Sequence, residues 1–157
     1  MVELIDAFVG ALTAAEVHAV AAKPATLSPR LKQCAVAVTV EKAESAPGGF
    51  GAYLGIHEGQ ELYGARLCAT VRLDVLGPTA SGAGACRAEL DRVRTVLEQG
   101  VPGISILSMS VHAPEYDPVG DCFTGRLEAE CRCWLCAQAS QDDPATLTHF
   151  ILKGALA

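Results

Sequence analysis

Cys131, Cys133 and Cys136 fall within the six-residue run CRCWLC. Such a density raises three possibilities: a zinc or iron–sulfur ligand set, a thiol–disulfide pair, or small hydrophobes inside a sheet. Structural zinc draws Cys-x2-Cys pairs from turns and needs a second pair elsewhere. Cys133 and Cys136 have that spacing, but no second Cys-x2-Cys or His-x3-His accompanies them, and His149 alone could add a ligand. A redox Cys-x-x-Cys sits at a helix start, where the thiol pKa is lowered. Here the surrounding RLEAECRCWLCAQ alternates instead with the period of a strand. Leu127, Ala129, Cys131, Cys133, Leu135 and Ala137 share one side, and Arg126, Glu128, Glu130, Arg132, Trp134, Cys136 and Gln138 share the other. The expectation is therefore that Cys131 and Cys133 are core thiols, with no metal and no cofactor bound.

Other reactive residue types are dispersed. The four histidines, His18, His57, His112 and His149, fall on different segments, and no pair has metal-ligand spacing. Gly-x-Ser-x-Gly is absent. A Cys–His pair such as Cys68 with His57 could assemble only through the fold. GPTASGAGA follows a strand pattern and opens a helix, the place of a phosphate loop, yet it lacks the Gly-Lys-Ser/Thr ending and contains no Gly-x-Gly-x-x-Gly. It reads as a turn at Gly77-Pro78, an N-cap at Thr79 or Ser81, and small residues for close packing. No catalytic residue is assigned, and the chain is expected not to be an enzyme.

These residues must be positioned by a short series of elements. Leu4, Ile5, Phe8, Leu12 and Ala19 recur at helical spacing, which predicts a helix over about 3–20, broken by KPATLSP at 23–29. Cys34, Val36, Val38 and Val40 alternate as a strand, with ESAPGGFG as a turn and 50–57 as a second strand weakened by glycine. HEGQELYG, 57–64, reads as a loop. Residues 66–76 alternate most cleanly: Leu67, Ala69, Val71, Leu73 and Val75 against Arg66, Cys68, Thr70, Arg72 and Asp74. A second helix is predicted over about 80–99, with Cys86, Leu90, Val93 and Leu97 as its apolar stripe and Arg87, Asp91, Arg94 and Glu98 away from it. Strands follow over 104–113, with Leu107, Met109, Val111 and Ala113 on one face, then over 123–138 and 147–153. PEYDPVGD forms a long turn and QASQDDPA a polar link between them.

Turns this short exclude helical crossovers between most strands, so the predicted fold is α+β: an antiparallel or mixed β-sheet with two amphipathic helices packed on one face. The 157 residues suit a single domain, 1–157, and half of them are hydrophobic, which excludes wholesale disorder. A net charge of −6 with no Lys/Arg run argues against sequence-specific nucleic-acid binding. No run of about twenty apolar residues and no basic leader is present, so neither a membrane nor secretion is expected. Seven cysteines at irregular spacing fit free thiols in a reducing cytoplasm.

The polar side of the strands is the remaining feature. Arg126, Glu128, Glu130, Arg132, Trp134 and Gln138 form a charge-mixed stripe containing the only tryptophan, and Arg66, Thr70, Arg72 and Asp74 form another. In one sheet they would make a patterned surface for subunit contact, with Arg66, Arg72, Glu128, Glu130, Arg132 and Trp134 as its contact residues. The competing reading is an ordinary solvated sheet face.

The stretches YLGIHEGQELYGARLCATVRLDVLGP, GACRAELDRVRTVL and ISILSMSVHAPEYDPVGDCFTGRLEAECRCWL are ordered as strand, proline turn, helix, strand, Tyr116-Asp117 turn and closing strand. In this they resemble the tail-terminator and tail-completion (neck) proteins of tailed phages, as carried in prophages of Gram-positive bacteria. The resemblance covers residues 50–153, about two-thirds of the chain in domain terms. The cysteine richness departs from the pattern. The resemblance implies a homo-oligomeric ring, typically a hexamer, that caps the tail tube, stops its polymerisation and presents the docking surface for head or neck. Its partners would be further copies of itself, the tube protein and head–tail connector or neck proteins. Its location would be the virion tail, after synthesis in the bacterial host cytoplasm. Segments 41–51 and 113–122 would be mobile loops reaching neighbours. A related neck or tail-assembly component is the alternative within that class. A small cytosolic ligand-binding or enzymatic α+β domain is the alternative outside it.

Overall fold

A computed structural model describes residues 2–21, 31–45, 51–57, 59–139 and 147–153. Helix α1 (Val2–Ala14) leads into a three-residue strand β1 (Ala19–Ala21), then β2 (Ala35–Ser45), β3 (Ala52–His57) and the long β4 (Gln60–Pro78). A 3₁₀ turn, Thr79–Ser81, opens α2 (Gly82–Gln99), and β5 (Ser105–Asp117), β6 (Cys122–Ala139) and β7 (Leu147–Lys153) complete the chain. The breaker at 23–29, the link at 140–145 and the turn at 46–50 lie outside the described residues, as do the side chains of His57, Gln138 and His149.

All seven strands form one sheet in the order β1-β2-β4-β6-β5, with β3 also paired to β4 and β7 to β6. Every pairing is antiparallel except β1 with β2, so the sheet is mixed and the fold is α+β, as the alternation predicts. β4 and β6 pair without interruption from Tyr63–Ala137 to Pro78–Cys122, and this ribbon is the spine of the molecule. Along its Pro78 end β2 and β5 flank it. Along its Tyr63 end β3 and β7 do so, forming a four-stranded arm.

Both helices lie on one face. Leu4, Phe8 and Leu12 of α1 and Cys86, Leu90, Val93, Val96 and Leu97 of α2 are buried against Val36, Val38, Val71, Leu73, Val75, Leu127, Ala129, Cys131 and Cys133. Gly125 allows this approach, since a Cβ there would collide with the Leu90 side chain. Gly64 plays the corresponding part in the arm, where a Cβ would strike the Leu135 carbonyl.

Several boundaries differ from the sequence expectation. The first helix ends at Ala14, not near 20. Val17 N–H donates to the Leu12 carbonyl (3.0 Å) and Glu16 N–H to that of Thr13 (2.9 Å), with Glu16 at φ 60°. That paired closure reverses the chain into β1, so Ala19 belongs to the sheet and not to the helical stripe. Residues 60–64 are strand, because β3 and β4 join in a tight hairpin with His57 opposite Gln60. Residues 41–45 and 113–117, expected as loop, extend β2 and β5. Gly77-Pro78 ends β4 opposite Phe123 and Cys122 and makes no turn. Neither Thr79 nor Ser81 caps α2 with its side chain. Thr79 Oγ1 instead donates to the Asp121 carbonyl (2.6 Å), tying the β5–β6 turn to the helix start. In β5 a register shift between Ile106 and Ser108 makes Leu107 an extra residue. Ile106, Met109 and Val111 therefore face the helices, and Leu107 does not join them.

Candidate functional site

The face of the sheet away from the helices is built from alternate residues of four strands. On β4 these are Arg66, Cys68, Thr70, Arg72 and Asp74; on β6 they are Arg126, Glu128, Glu130, Arg132 and Trp134, directly opposite in the order Trp134–Arg66 through Arg126–Asp74. β5 adds Ser105, Ser108, Ser110 and His112 opposite Arg132, Glu130, Glu128 and Arg126. β2 adds Ala37 and Thr39 opposite Asp74 and Arg72, then Lys42 and Glu44 opposite Thr70 and Cys68. A bulge between Val40 and Lys42 permits this. The extra residue, Glu41, shifts the alternation by one, so Ala43 turns to the core side and the charged pair stays outside.

All six residues expected at an interface thus share one surface, but not one state. Arg72 is held at both ends: Nη1 donates to Glu41 Oε1 (2.5 Å) and Nε to Asp74 Oδ2 (3.0 Å). Glu130 accepts from Ser108 Oγ (2.9 Å). Arg66, Glu128 and Arg132 have no side-chain partner among the described residues. Arg66 and Arg132 bracket the half-buried Trp134 on adjacent strands. Two guanidinium groups without a side-chain partner among the described residues, beside one indole, have the chemistry to pair with carboxylates or stack on aromatic rings. Lys42 and Glu44 pair with each other at 2.9 Å, both largely exposed, and this pair contributes little to stability.

Asp74 is the residue that alternation alone misjudges. It lies on the polar face yet is only 3% exposed, with Arg72 on one side and Arg126 Nε on the other (3.3 Å to Oδ1). The signal was available as Arg72-x-Asp74 on one strand and Arg126 on another, but their register had to be known first.

The cysteines behave as the alternation predicts in one respect and depart in another. Cys131 and Cys133 are buried in the helix–sheet core, where burial pushes their thiols up to about 12 and about 11. Cys86 is likewise pushed up to about 11 by burial, and its Sγ donates to the Val75 carbonyl (3.4 Å). Protonated thiols of this kind are poor nucleophiles and poor metal ligands. Cys136 lies on the opposite side of β6, yet it too is buried. Among the described residues no cluster of three or more His, Cys, Asp or Glu has metal-binding geometry. The candidate pair Cys68 and His57 is not brought together. His57 pairs with Gln60 at the far end of β4, roughly 25 Å along the strand from Cys68 at about 3.3 Å per residue.

One shallow cleft opens on the polar side, about 520 Å³, at the end of β5 between His112, Glu115, Tyr116, Asp117 and Arg126. Tyr116 OH donates to Asp121 Oδ1 (3.0 Å), which pushes the phenol pKa up. Among the described residues no helix is long and apolar enough to cross a membrane. The sequence matches no protein-family model and no curated protein.

Proposed function

We propose that this chain is a non-enzymatic assembly subunit of a phage or phage-like tail. In this reading it forms a homo-oligomeric ring, hexameric by the resemblance, that caps the tail tube, ends its polymerisation and offers the surface to which head or neck proteins dock. The observation that supports the reading is the division of the sheet. Two helices cover one face, and the other is a charge-patterned surface with the single tryptophan and, beside it, two arginines that have no side-chain partner among the described residues. A terminator must match the tube subunit on one side and refuse further growth on the other, which is a task for patterned surfaces and not for a reactive centre. The arm of β3, β4, β6 and β7 does not continue the charge pattern, since Leu62, Gly64 and Cys136 on that side are apolar and buried.

The test is assembly with the cognate tube protein. Arg132→Glu and Trp134→Ala are expected to weaken capping at least tenfold, so that tubes grow past the length at which the unmodified protein stops them. Capping by both variants at unmodified strength would remove the polar face from the account. The cleft beside His112 and Arg126 favours a second reading, a small ligand-binding α+β domain. A ligand that binds there and shifts the melting temperature of a chain that never engages tube protein would establish it.

A further inference from the structure

Among the described residues the sheet has free strand edges on both sides, at the three-residue β1 and at β3 on one, and at β5 and β7 on the other. β5 is the last strand beyond β6, and β3 pairs only with β4, so among the described residues nothing covers either outer edge. Monomeric proteins blunt such edges with charge, above all lysine. β5 carries such protection, as charge or proline, only towards its end, at Pro114, Glu115 and Asp117; its regular stretch Ser108–His112 and the strand Ala52–His57 contain no Lys, Arg, Asp or Glu. Both carry exposed large hydrophobics instead: Leu107 (56%) and Val111 (41%) on β5, Tyr53 (55%) and Ile56 (66%) on β3.

The sidedness of these groups is informative. On β5, Met109 and Val111 oppose Ala129 and Leu127, which places them on the helix side of the sheet. There they line, with Leu97 of α2, a groove of about 480 Å³ that the bulged, exposed Leu107 borders without packing on the core. On the other edge Tyr53 opposes Tyr63 and Ile56 opposes Glu61, with Leu54 as an extra residue between Tyr53 and Gly55 (φ 119°). The extra residue puts Tyr53 and Ile56 on the same side of the hairpin, the side that Ala65 and Leu67 continue into the core. When one sheet continues into another, each face continues too. A β3 strand added to β5 would therefore deliver Tyr53 and Ile56 into the groove. The lengths also agree, since β5 is regular from Ser108 to His112 between its two register shifts and β3 spans Ala52–His57.

We infer that the β3–β4 hairpin of one copy adds β3 antiparallel to the β5 edge of a second copy, with Tyr53 and Ile56 seated in the groove between β5 and α2. The contact is head-to-tail, because each subunit presents a hairpin at one edge and a groove at the other. It deepens the assembly reading by naming the two surfaces that join neighbouring subunits, and it rests on that reading only in taking self-association as given.

A head-to-tail junction has a signature that a symmetric one lacks. Ile56→Asp disables the hairpin and leaves the groove; Val111→Asp disables the groove and leaves the hairpin. Both side chains are exposed, and melting curves would verify folding. If either aspartate lowers the folded fraction, Tyr53→Ser and Leu107→Ser replace them. Light scattering across a concentration range is expected to show oligomers for the unmodified chain, monomers for each variant alone, and a complex of twice the monomer mass when the two are mixed. Variants that assemble as the unmodified chain does, or a mixture that stays monomeric, would overturn the inference. A closed ring unaffected by the substitutions would leave the assembly reading standing without this junction. Open fibres lost on substitution would keep the junction and sink the ring. A chain monomeric throughout overturns the junction and leaves capping to be decided against tube protein.

Discussion

Asp74 lies on the polar face between the part-exposed Arg72 and Arg126, which enclose its carboxylate, with the buried Ala37 opposite and Leu76 next along that face of the strand. Removing it leaves Arg126 without this partner and Arg72 with Glu41 alone. Both arginines keep some contact with water, so the cost falls below that of breaking a fully buried pair. Asp74→Ala is expected to destabilise by about 1–3 kcal/mol in urea titrations, whereas an unchanged midpoint would show the cluster to be cosmetic. The buried thiols make a separate prediction. Cys86, Cys131 and Cys133 titrate at about 11, about 12 and about 11 in the folded protein, against an ordinary thiol value of 9.0. Deprotonation therefore favours the unfolded chain: their contribution is complete below pH 9.0 and is lost as pH rises towards 11 and 12. Denaturation midpoints should fall over that window, and Cys131→Ala should flatten the fall relative to its own value at neutral pH. The identity of these thiols as core residues was legible, since period two assigns a face to every residue of a strand. The burial of Asp74 was not, because it depends on a cross-strand arginine.

At the scale of elements, the sequence was most informative where one pattern ran long. The stripe Cys86, Leu90, Val93 and Leu97 packs as its period requires, and so does the alternation over 66–76 until its end, where Asp74 and Leu76 are buried as well. It was least informative where single residues redirect the chain. Glu16 closes α1 from a left-handed conformation that usually takes glycine, so no glycine marked the helix end. The bulges at Glu41 and Leu107 reverse sidedness within otherwise regular strands. For Glu41 a trace exists: the apolar positions Val36, Val38 and Val40 pass to Ala43 across the adjacent charges Glu41 and Lys42. The packing of α2 on β6 is sharply specified by Gly125 beneath Leu90. Gly125→Ala should cost about 1–3 kcal/mol by overpacking, and Leu90→Ala about 2–5 kcal/mol by leaving a cavity. The double variant should cost clearly less than the two together, because the new methyl occupies part of that cavity. Strict additivity in urea titrations would mean the helix simply rides up over the change.

At the scale of the whole molecule, the continuous β4–β6 ribbon carries two different neighbourhoods: a core half covered by helices and an arm half flanked by β3 and β7. The arm was legible only in part. The strand over 50–57 was legible despite its glycines, while the polar run 57–64 resembled a loop, because a hairpin that projects past the core has no helix to bury against. The α+β class followed from the order of elements, while the parallel β1–β2 pairing did not, since a three-residue strand has no period to read. The proposed role as a ring that caps a tail tube depends on this architecture acting in many copies. The most direct test is the solution mass of the purified chain, measured by light scattering across a concentration range and with tube protein added, with negative-stain images of the same samples. The account predicts a discrete closed ring, formed by the chain alone or upon the tube; a monomer at every concentration that never engages tube protein would contradict it.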